Sequence, residues 1–153
     1  MAHFEKRTRI RASSERLWAW HAAPGALERL TPPWEHVVVE DPGSGIQDGS
    51  QVRLRVGRPP FRQRWLAEHR DVQPGAGFVD VQIEGPFRRW HHEHRFEPDG
   101  DRAAWLIDRI DYDLPGGRLG AWIAGPFVRR KLERMFAWRH ETTRQALEED
   151  EDR

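Results

Sequence analysis

Six short runs with strand character, followed by one long amphipathic segment, most constrain how this chain of 153 residues can fold. Gly, Pro and Asp separate each run from the next, as at residues 41–45 and 98–100. Consecutive runs with such short breaks are typical of an antiparallel meander. The six predicted strands are residues 34–40, 51–57, 61–71, 77–84, 87–97 and 102–114.

Both ends of the chain carry further predicted elements. A strand at residues 3–11 is followed by two short helices at 15–21 and 26–30, the first with Ser13 or Ser14 as N-cap. After residues 115–117 the period becomes helical, and Pro126 suits the first position of a helix. We expect one helix of about six turns, at 3.6 residues per turn. Its inward stripe comprises Val128, Leu132, Met135, Phe136, Arg139, Thr143 and Leu147.

This order of elements predicts an α+β fold. A sheet with one apolar face must cover that face, and only the C-terminal helix is long enough to do so. We expect a curved antiparallel sheet of about seven strands around this helix, with a pocket where the side chains do not meet. Residues 1–149 are predicted to form a single domain, and residues 150–153 a frayed acidic tail.

Composition argues against several classes of function. Lys+Arg and Asp+Glu are both 25, so the net charge of +0 gives no global argument for nucleic acid or an anionic membrane as partner. With 0 Cys, disulfides and cysteine metal sites are excluded. We expect no signal peptide and no membrane span, and therefore a cytoplasmic protein. A mean hydropathy of -0.86 combined with 8 Trp and 7 Phe is compatible with an aromatic interior that leaves a cavity.

Strand alternation predicts which side chains point towards the helix. In residues 61–71 the odd positions face inward, and in residues 87–97 and 102–114 the even positions do. The inward face of Gly77–Glu84 stays undecided, because both of its faces carry apolar residues. The predicted ligand-binding residues are Trp65, His69, Trp90, His92, His94, Phe96, Asp108, Tyr112, Met135, Phe136 and Arg139.

The polar members of this set allow three interpretations. A hairpin turning at residues 98–100 brings Asp108 opposite His92 or His94, and a buried carboxylate needs such a partner. The groups then either satisfy one another as a structural network or point at a ligand in an aromatic-lined concavity. The third interpretation is a zinc site on His92 and His94, with His69 or Asp108 as a further ligand.

Four stretches resemble a known family. They are WHAAPGALERLTPPW at residues 20–34, RWLAEH at 64–69, GPFRRWHHEHRF at 85–96 and DRIDYDLP at 108–115. Over nearly the whole chain, they are similar to the polyketide cyclase/dehydrase-like bacterial branch of the SRPBCC (START/Bet v 1-like) superfamily. The resemblance implies a helix-grip fold and a hydrophobic cavity for a lipid, polyketide, isoprenoid or similar ligand. Related domains are sometimes fused to a nucleotide-sugar epimerase-like domain.

Three functions follow as hypotheses, and the fold alone does not choose among them. The favoured one is a non-catalytic binding or carrier protein for a small hydrophobic molecule or lipid. The second is a cyclase/dehydratase-type enzyme, with His92 or His94 as general base, Asp108 orienting it, and Arg139 or Tyr112 steadying an enolate. The third is a protein-interaction module with an arginine-rich rim. We assign no catalytic residue and predict neither a cofactor nor a metal; the oligomeric state is left open.

Overall fold

The computed structural model describes residues 1–153 and contains seven strands and three helices. The strands are β1 Ala2–Ile10, β2 Val37–Asp41, β3 Gln51–Val56, β4 Gln63–Gln73, β5 Gly77–Glu84, β6 Arg89–Pro98 and β7 Ala104–Asp113. The helices are α1 Ser14–Ala22, α2 Ala26–Arg29 and α3 Gly117–Glu151. The predicted order of elements is confirmed.

All seven strands form one antiparallel sheet in the order β1-β7-β6-β5-β4-β3-β2. β2 to β7 follow one another as a meander, and β1 closes the far edge against β7. Register fixes which side chains are neighbours: His94 lies opposite Asp108 on β7 and opposite Phe78 on β5. The helix-grip prediction, a sheet around a long C-terminal helix, is therefore confirmed.

The turn before β4 is longer than predicted. Phe61, expected to face the helix as the first residue of its strand, is 83% exposed, and β4 begins only at Gln63. The N–H of Phe61 donates to the carbonyl of Arg58 at 2.8 Å, so Phe61 closes the turn that contains the two prolines and does not join the strand ladder. The β3–β4 connection consequently carries a large aromatic residue into solvent.

The long helix starts earlier than predicted. Gly116 has a left-handed φ of 85°, and its carbonyl accepts the first helical hydrogen bond from Gly120 at 3.0 Å. Pro126 lies inside the helix rather than at its start. Proline there removes the bond to the carbonyl of Trp122. Trp122 lies on the exposed side of the helix, so water can solvate the carbonyl that Pro126 leaves without a donor.

The core consists of two clusters at either end of the space between sheet and helix. One packs Ile10, Leu17, Phe78, Phe96 and Leu106 around α1 and the end of α3. The other comprises Phe4, Trp90, Ile110, Tyr112, Leu132 and Phe136, with Trp65, Phe87, Val128 and Met135 packed against it. Buried polar residues lie between the clusters. No helix is both long and apolar enough to cross a membrane.

Candidate functional site

Asp108 is the centre of the polar layer between the two apolar clusters. The residue is 4% exposed, and its carboxylate accepts hydrogen bonds from His92 Nε2 at 2.7 Å and His140 Nε2 at 2.6 Å. The hydroxyl of Thr8 lies 2.8 Å from Nδ1 of His140, which then serves as acceptor. A strand histidine and a helix histidine are thus fixed on one carboxylate, and α3 is tied to the sheet through it.

Asp80 on β5 is a second carboxylate in the same layer. It accepts a hydrogen bond from His69 Nδ1 at 2.5 Å and one from His94 Nε2 at 2.9 Å. Phe78, two residues earlier, stacks on the ring of His94 with centroids 4.2 Å apart. The even positions of β5 therefore face inward, which decides the face that alternation left open.

His94 joins the two carboxylates. Its Nε2 donates to Asp80, and its Nδ1 lies 3.1 Å from Asp108 Oδ1 in a direction that makes no hydrogen bond. This Nδ1 is a buried polar atom without a hydrogen-bond partner. Such atoms are rare in folded proteins, because an unsatisfied buried group costs about 1–3 kcal/mol. An acceptor atom aligned with Nδ1 would supply the hydrogen bond that the misaligned carboxylate of Asp108 does not.

The two neighbouring imidazoles have opposite protonation behaviour. Burial favours the neutral ring in both, and it lowers the pKa of His92 to about 4. For His94 the negative charge of Asp108, 3.1 Å from Nδ1, and the hydrogen bond to Asp80 outweigh burial and raise its pKa to about 9. The ring centroids are 3.8 Å apart. At neutral pH the site therefore holds one neutral and one cationic imidazole side by side.

Both carboxylates remain ionised. Burial would raise the pKa of each, but the hydrogen bonds from His140 and His92 hold the pKa of Asp108 well below its usual value. Hydrogen bonds from His69 and His94 likewise lower the pKa of Asp80. The layer thus contains two negative charges, and the imidazolium of His94 lies between them.

A small cavity adjoins this layer on the side of the first two helices. Its volume is about 20 Å³, enough for roughly one water molecule. The lining residues are His21, Leu30, His94, Leu106, Asp108, Phe136, Arg139, His140 and Thr143. Arg139 reaches across it, and its Nε donates to the carbonyl of Leu30 at 2.8 Å. Withdrawal from water lowers the pKa of this guanidinium, and burial lowers the pKa of His21 to about 4.

The predicted ring-lined hollow is mostly filled. Trp65 packs edge-on against Trp90 with centroids 5.2 Å apart, and Phe87 fits between Trp90 and Tyr112. The remaining space therefore lies elsewhere, beside the polar layer, and six of its nine lining residues are polar.

The predicted site residues fall into two groups. His94, Asp108, Phe136 and Arg139 line the cavity together. His69 and His92 belong to the polar layer behind it, hydrogen-bonded to Asp80 and Asp108. The other predicted residues pack in the apolar clusters and do not reach the cavity: Trp65, Trp90, Phe96, Tyr112 and Met135.

Several residues of the site were not predicted. His140 follows Phe136 by four residues and precedes Thr143 by three, so the helical spacing of the inward stripe includes it. His21 follows the buried Leu17 by four residues on α1 and donates to its carbonyl at 2.8 Å. Asp80 could not be assigned to the site because the sequence left the inward face of β5 undecided. Leu30 and Leu106 carry no signal beyond their apolar positions.

The layer also offers a set of metal-ligating atoms. One ligating atom from each of Asp80, His92 and His94 lies within 4.8 Å of the others. Imidazole and carboxylate ligands suit zinc and related transition metals. In the structure, however, His92 and His94 already donate protons to carboxylates, so the predicted structural network and a metal site would compete for the same atoms.

A second depression lies at the β2–β5 side of the sheet. Its volume is about 280 Å³, and two carboxylates and two guanidinium groups surround most of it. Its lining residues are Glu40, Arg53, Arg64, Trp65, Leu66 and Glu84. Because it includes no residue of the polar layer, it is separate from the candidate site.

Comparison with known families gives one match. The family model described as polyketide cyclase / dehydrase and lipid transport matches residues 10–137, which include α1, α2, all of β2 to β7 and much of α3. A comparison with curated proteins gives no match.

Solved structures match along nearly the whole chain. The Thermus thermophilus protein TTHA0849 is 15% identical with a TM-score of 0.72, covering 95% of this chain and 97% of its own. Norcoclaurine synthase from Thalictrum flavum, in complex with a transition-state analogue, is 13% identical with a TM-score of 0.72, covering 98% and 96%. These two show the fold alone.

A nucleoside-diphosphate sugar epimerase from Corynebacterium glutamicum is 25% identical with a TM-score of 0.71. The match covers 95% of this chain but 29% of the epimerase chain. The present fold therefore corresponds to one part of that longer protein.

Proposed function

Because the chain belongs to the polyketide cyclase / dehydrase and lipid transport family, we propose that it binds a small hydrophobic or lipid-like ligand between the sheet and α3. The polar end of this ligand lies at His94 and Arg139. One observation supports this most: the buried Nδ1 of His94 has no hydrogen-bond partner, and His94 lines the cavity. As an imidazolium, His94 donates from Nδ1, so the polar end is an acceptor such as a carbonyl, carboxylate or phenolate oxygen.

The apolar part of the ligand extends along the other cavity walls. Leu30, Leu106 and Phe136 provide the apolar lining. A cavity of about 20 Å³ is far below the roughly 300 Å³ at which ligand pockets begin, so binding requires one wall to move. The wall that moves is the α1–α2 segment, which contributes His21 and Leu30.

Arg139 couples ligand binding to that movement. Its hydrogen bond to the carbonyl of Leu30 fastens α2 to α3 in the closed form. An acceptor oxygen on the ligand takes the place of this carbonyl, so the guanidinium keeps a partner when α2 moves away. The exchange of one acceptor for another keeps the energetic cost of opening low.

Two fluorescent dyes test the proposal. Anilinonaphthalene sulfonate is apolar and anionic, and N-phenyl-1-naphthylamine is apolar and neutral. We expect both to bind, and Arg139→Gln to weaken the anionic dye about tenfold or more, because hydrogen bonds to charged groups contribute about 1.5–3 kcal/mol. The neutral dye should lose much less. Arg102→Gln is the matched control, because Arg102 is exposed in the β6–β7 turn and does not line the cavity.

Native mass spectrometry after mild purification provides the complementary measurement. A co-purified apolar molecule with an acceptor group supports the proposal. If the purified protein is empty and neither dye binds, ligand binding in this space is refuted. Equal loss of both dyes in Arg139→Gln would refute the assignment of the polar end.

An acid–base enzyme is the second candidate function. It is favoured by His92 and His94, whose pKa values of about 4 and about 9 lie on opposite sides of neutrality while both contact Asp108. Such pairs of groups with separated pKa values characterise general acid–base sites. Neutral His92 then accepts the C–H proton of the substrate as general base. His94, which lines the cavity as a cation, acts as general acid, and Arg139 stabilises the developing enolate.

A simple 1,3-diketone tests this second candidate. Enzymatic acid–base chemistry accelerates exchange of its acidic C–H protons in D₂O, measured by NMR. Loss of exchange in His94→Ala, with binding of the neutral dye retained, supports an enzyme. Unchanged exchange in both His94→Ala and His92→Ala leaves ligand binding as the function.

A further inference from the structure

In the first half of α3, the usual positions of large and small side chains on an amphipathic helix are exchanged. Residues 117–131 contain no buried residue, and the first buried position of the helix is Leu132. The half-buried positions on its inner side, Gly120, Ala124 and Val128, are spaced by four residues and are mostly small. A helix in water normally turns its large apolar side chains inward. Here the small residues face the protein and the large ones do not.

The large apolar residues of this segment lie in solvent. Leu119 is 66% exposed, Trp122 78%, Ile123 65% and Phe127 72%. Spacings of three and four residues place them on one side of the helix. Single exposed apolar residues are ordinary, but a contiguous patch of four large ones marks an interaction surface.

Four basic residues, Arg118, Arg129, Arg130 and Lys131, lie in this segment, and no Asp or Glu occurs between Asp113 and Glu133. Arg129 pairs with Glu133 at 3.2 Å and Lys131 with Glu35 at 3.3 Å, whereas Arg118 and Arg130 make no ion pair. Arg130 follows Phe127 by three residues and Ile123 by seven, which places it on the apolar side. The basic side chains are therefore positioned to border the exposed apolar surface.

A further exposed aromatic lies at the same end of the sheet. The pairings of Val56 with Gln63 and of Arg89 with Asp113 place the β3–β4 turn and the β7–α3 connection at the same end of the strands. Phe61, in the β3–β4 turn, is 83% exposed. One end of the molecule therefore concentrates exposed large apolar side chains with positive charge.

We propose that this end, formed by residues 117–131 and Phe61, docks on a bilayer surface that contains anionic lipid. Trp, Phe, Ile and Leu enter the boundary between headgroups and acyl chains, and the basic side chains contact lipid phosphates, as in interfacial amphipathic helices. Charge complementarity favours this occupant over a second copy of the chain. In a symmetric dimer through this surface, the basic residues of both copies would meet as like charges.

The net charge of +0 does not oppose this docking. Charges more than a Debye length apart, about 8 Å at physiological ionic strength, are largely screened from one another. A bilayer contacting one end of the protein therefore responds to the local basic cluster rather than to the total charge. The proposal is independent of the ligand-binding proposal, since no ligand takes part in the docking.

Co-sedimentation with vesicles tests the docking, using the full chain without added ligand. We expect the protein to sediment with phosphatidylcholine vesicles that contain phosphatidylglycerol, and less with phosphatidylcholine alone. Arg130→Gln should weaken binding to the anionic vesicles about fivefold, the effect of one basic residue near such a surface. Its matched control, Arg102→Gln, should leave binding unchanged.

The apolar contribution has its own variants. Ile123→Ser combined with Phe127→Ser should abolish sedimentation, whereas Val38→Ser, at a residue 42% exposed on β2, should not. Trp122→Phe keeps the apolar side chain and should retain binding while reducing tryptophan quenching by brominated lipid. Because all of these residues are exposed, the variants should fold, which circular dichroism checks.

Three results would overturn the proposal. One is no sedimentation with anionic vesicles even at low salt. Another is sedimentation that the Ile123/Phe127 double variant does not reduce. The last is a dimer of the wild type without lipid that dissociates in the same double variant, since it would make a second copy the occupant.

Discussion

Replacing His94 with glutamine removes the imidazole that the folded chain holds as a cation above neutral pH. Burial acts against this charge, but contacts with Asp108 and Asp80 raise the pKa of His94 from 6.5 to about 9. A pKa raised in the folded state stabilises the fold fully below pH 6.5, and this stabilisation is lost as pH rises through about 9. At 1.36 kcal/mol per pKa unit, the full contribution is about 3 kcal/mol.

Two other imidazoles produce the opposite limb of the pH profile. Burial lowers the pKa of His92 and of His21 from 6.5 to about 4. Between these pH values the unfolded chain therefore binds protons that the folded chain does not bind. Stability therefore falls as pH decreases from about 6.5 to about 4. Together the two limbs predict a maximum of the free energy of unfolding near pH 6.5.

Urea unfolding followed by far-UV circular dichroism measures this profile. Between about pH 6.5 and 9 the free energy of unfolding of the wild type should fall by about 3 kcal/mol, and His94→Gln should flatten that decline. His3→Gln, at an exposed histidine, should keep the wild-type slope. A wild type with constant stability over this range would refute the charged state of His94. A His94→Gln variant with the full wild-type decline would refute the assignment to this residue.

Three further outcomes are expected. Asp108→Ala leaves His92 and His140 without their acceptor and should lower the free energy of unfolding by about 3–5 kcal/mol in urea, as when a buried pair is broken; a loss below about 1 kcal/mol would contradict the network. Phe136→Ala, at a residue 1% exposed, should lower it by about 3–5 kcal/mol, while Phe61→Ala should change it little. Treatment with a chelator should leave the melting temperature unchanged, because the carboxylates already accept imidazole protons; a clear drop, with metal found by elemental analysis, would indicate a metal site on Asp80, His92 and His94.

The fold was predictable because each level of the sequence indicates the same architecture. Alternation in β6 and β7 and turn residues between the strands predicted the sheet, and Ser13 does cap α1, accepting from the N–H of Arg16 at 3.2 Å. The start of α3 was not predicted, since proline is favoured in the first turn of a helix and unfavourable in its interior, so Pro126 indicated a later start. The helix nevertheless continues through Pro126 at the cost of one backbone hydrogen bond.

The site was predictable only where alternation was unambiguous. His92, His94 and Asp108 followed from it, and register then placed them side by side. Asp80 did not, because Val79 is 7% exposed and Phe78 is 6% exposed, so both faces of β5 are buried there. The size of the cavity also lies beyond sequence patterns. It depends on how rings such as Trp65 and Trp90 pack against one another, a matter of rotamers rather than periodicity.

The charges of the interior restrict what the site can accept. Asp80 and Asp108 are anionic, His94 contacts both of them, and Arg139 lines the same cavity as His94 and Asp108. Burying ions is costly, and apolar residues of similar volume often stabilise a fold as well or better, so stability alone does not explain this layer. A cationic ligand would add charge beside His94 and Arg139, whereas an acceptor oxygen satisfies the unpartnered Nδ1 of His94. If the chain binds a ligand as we propose, the arrangement of the buried groups therefore favours neutral or anionic polar ends, whichever apolar body is attached.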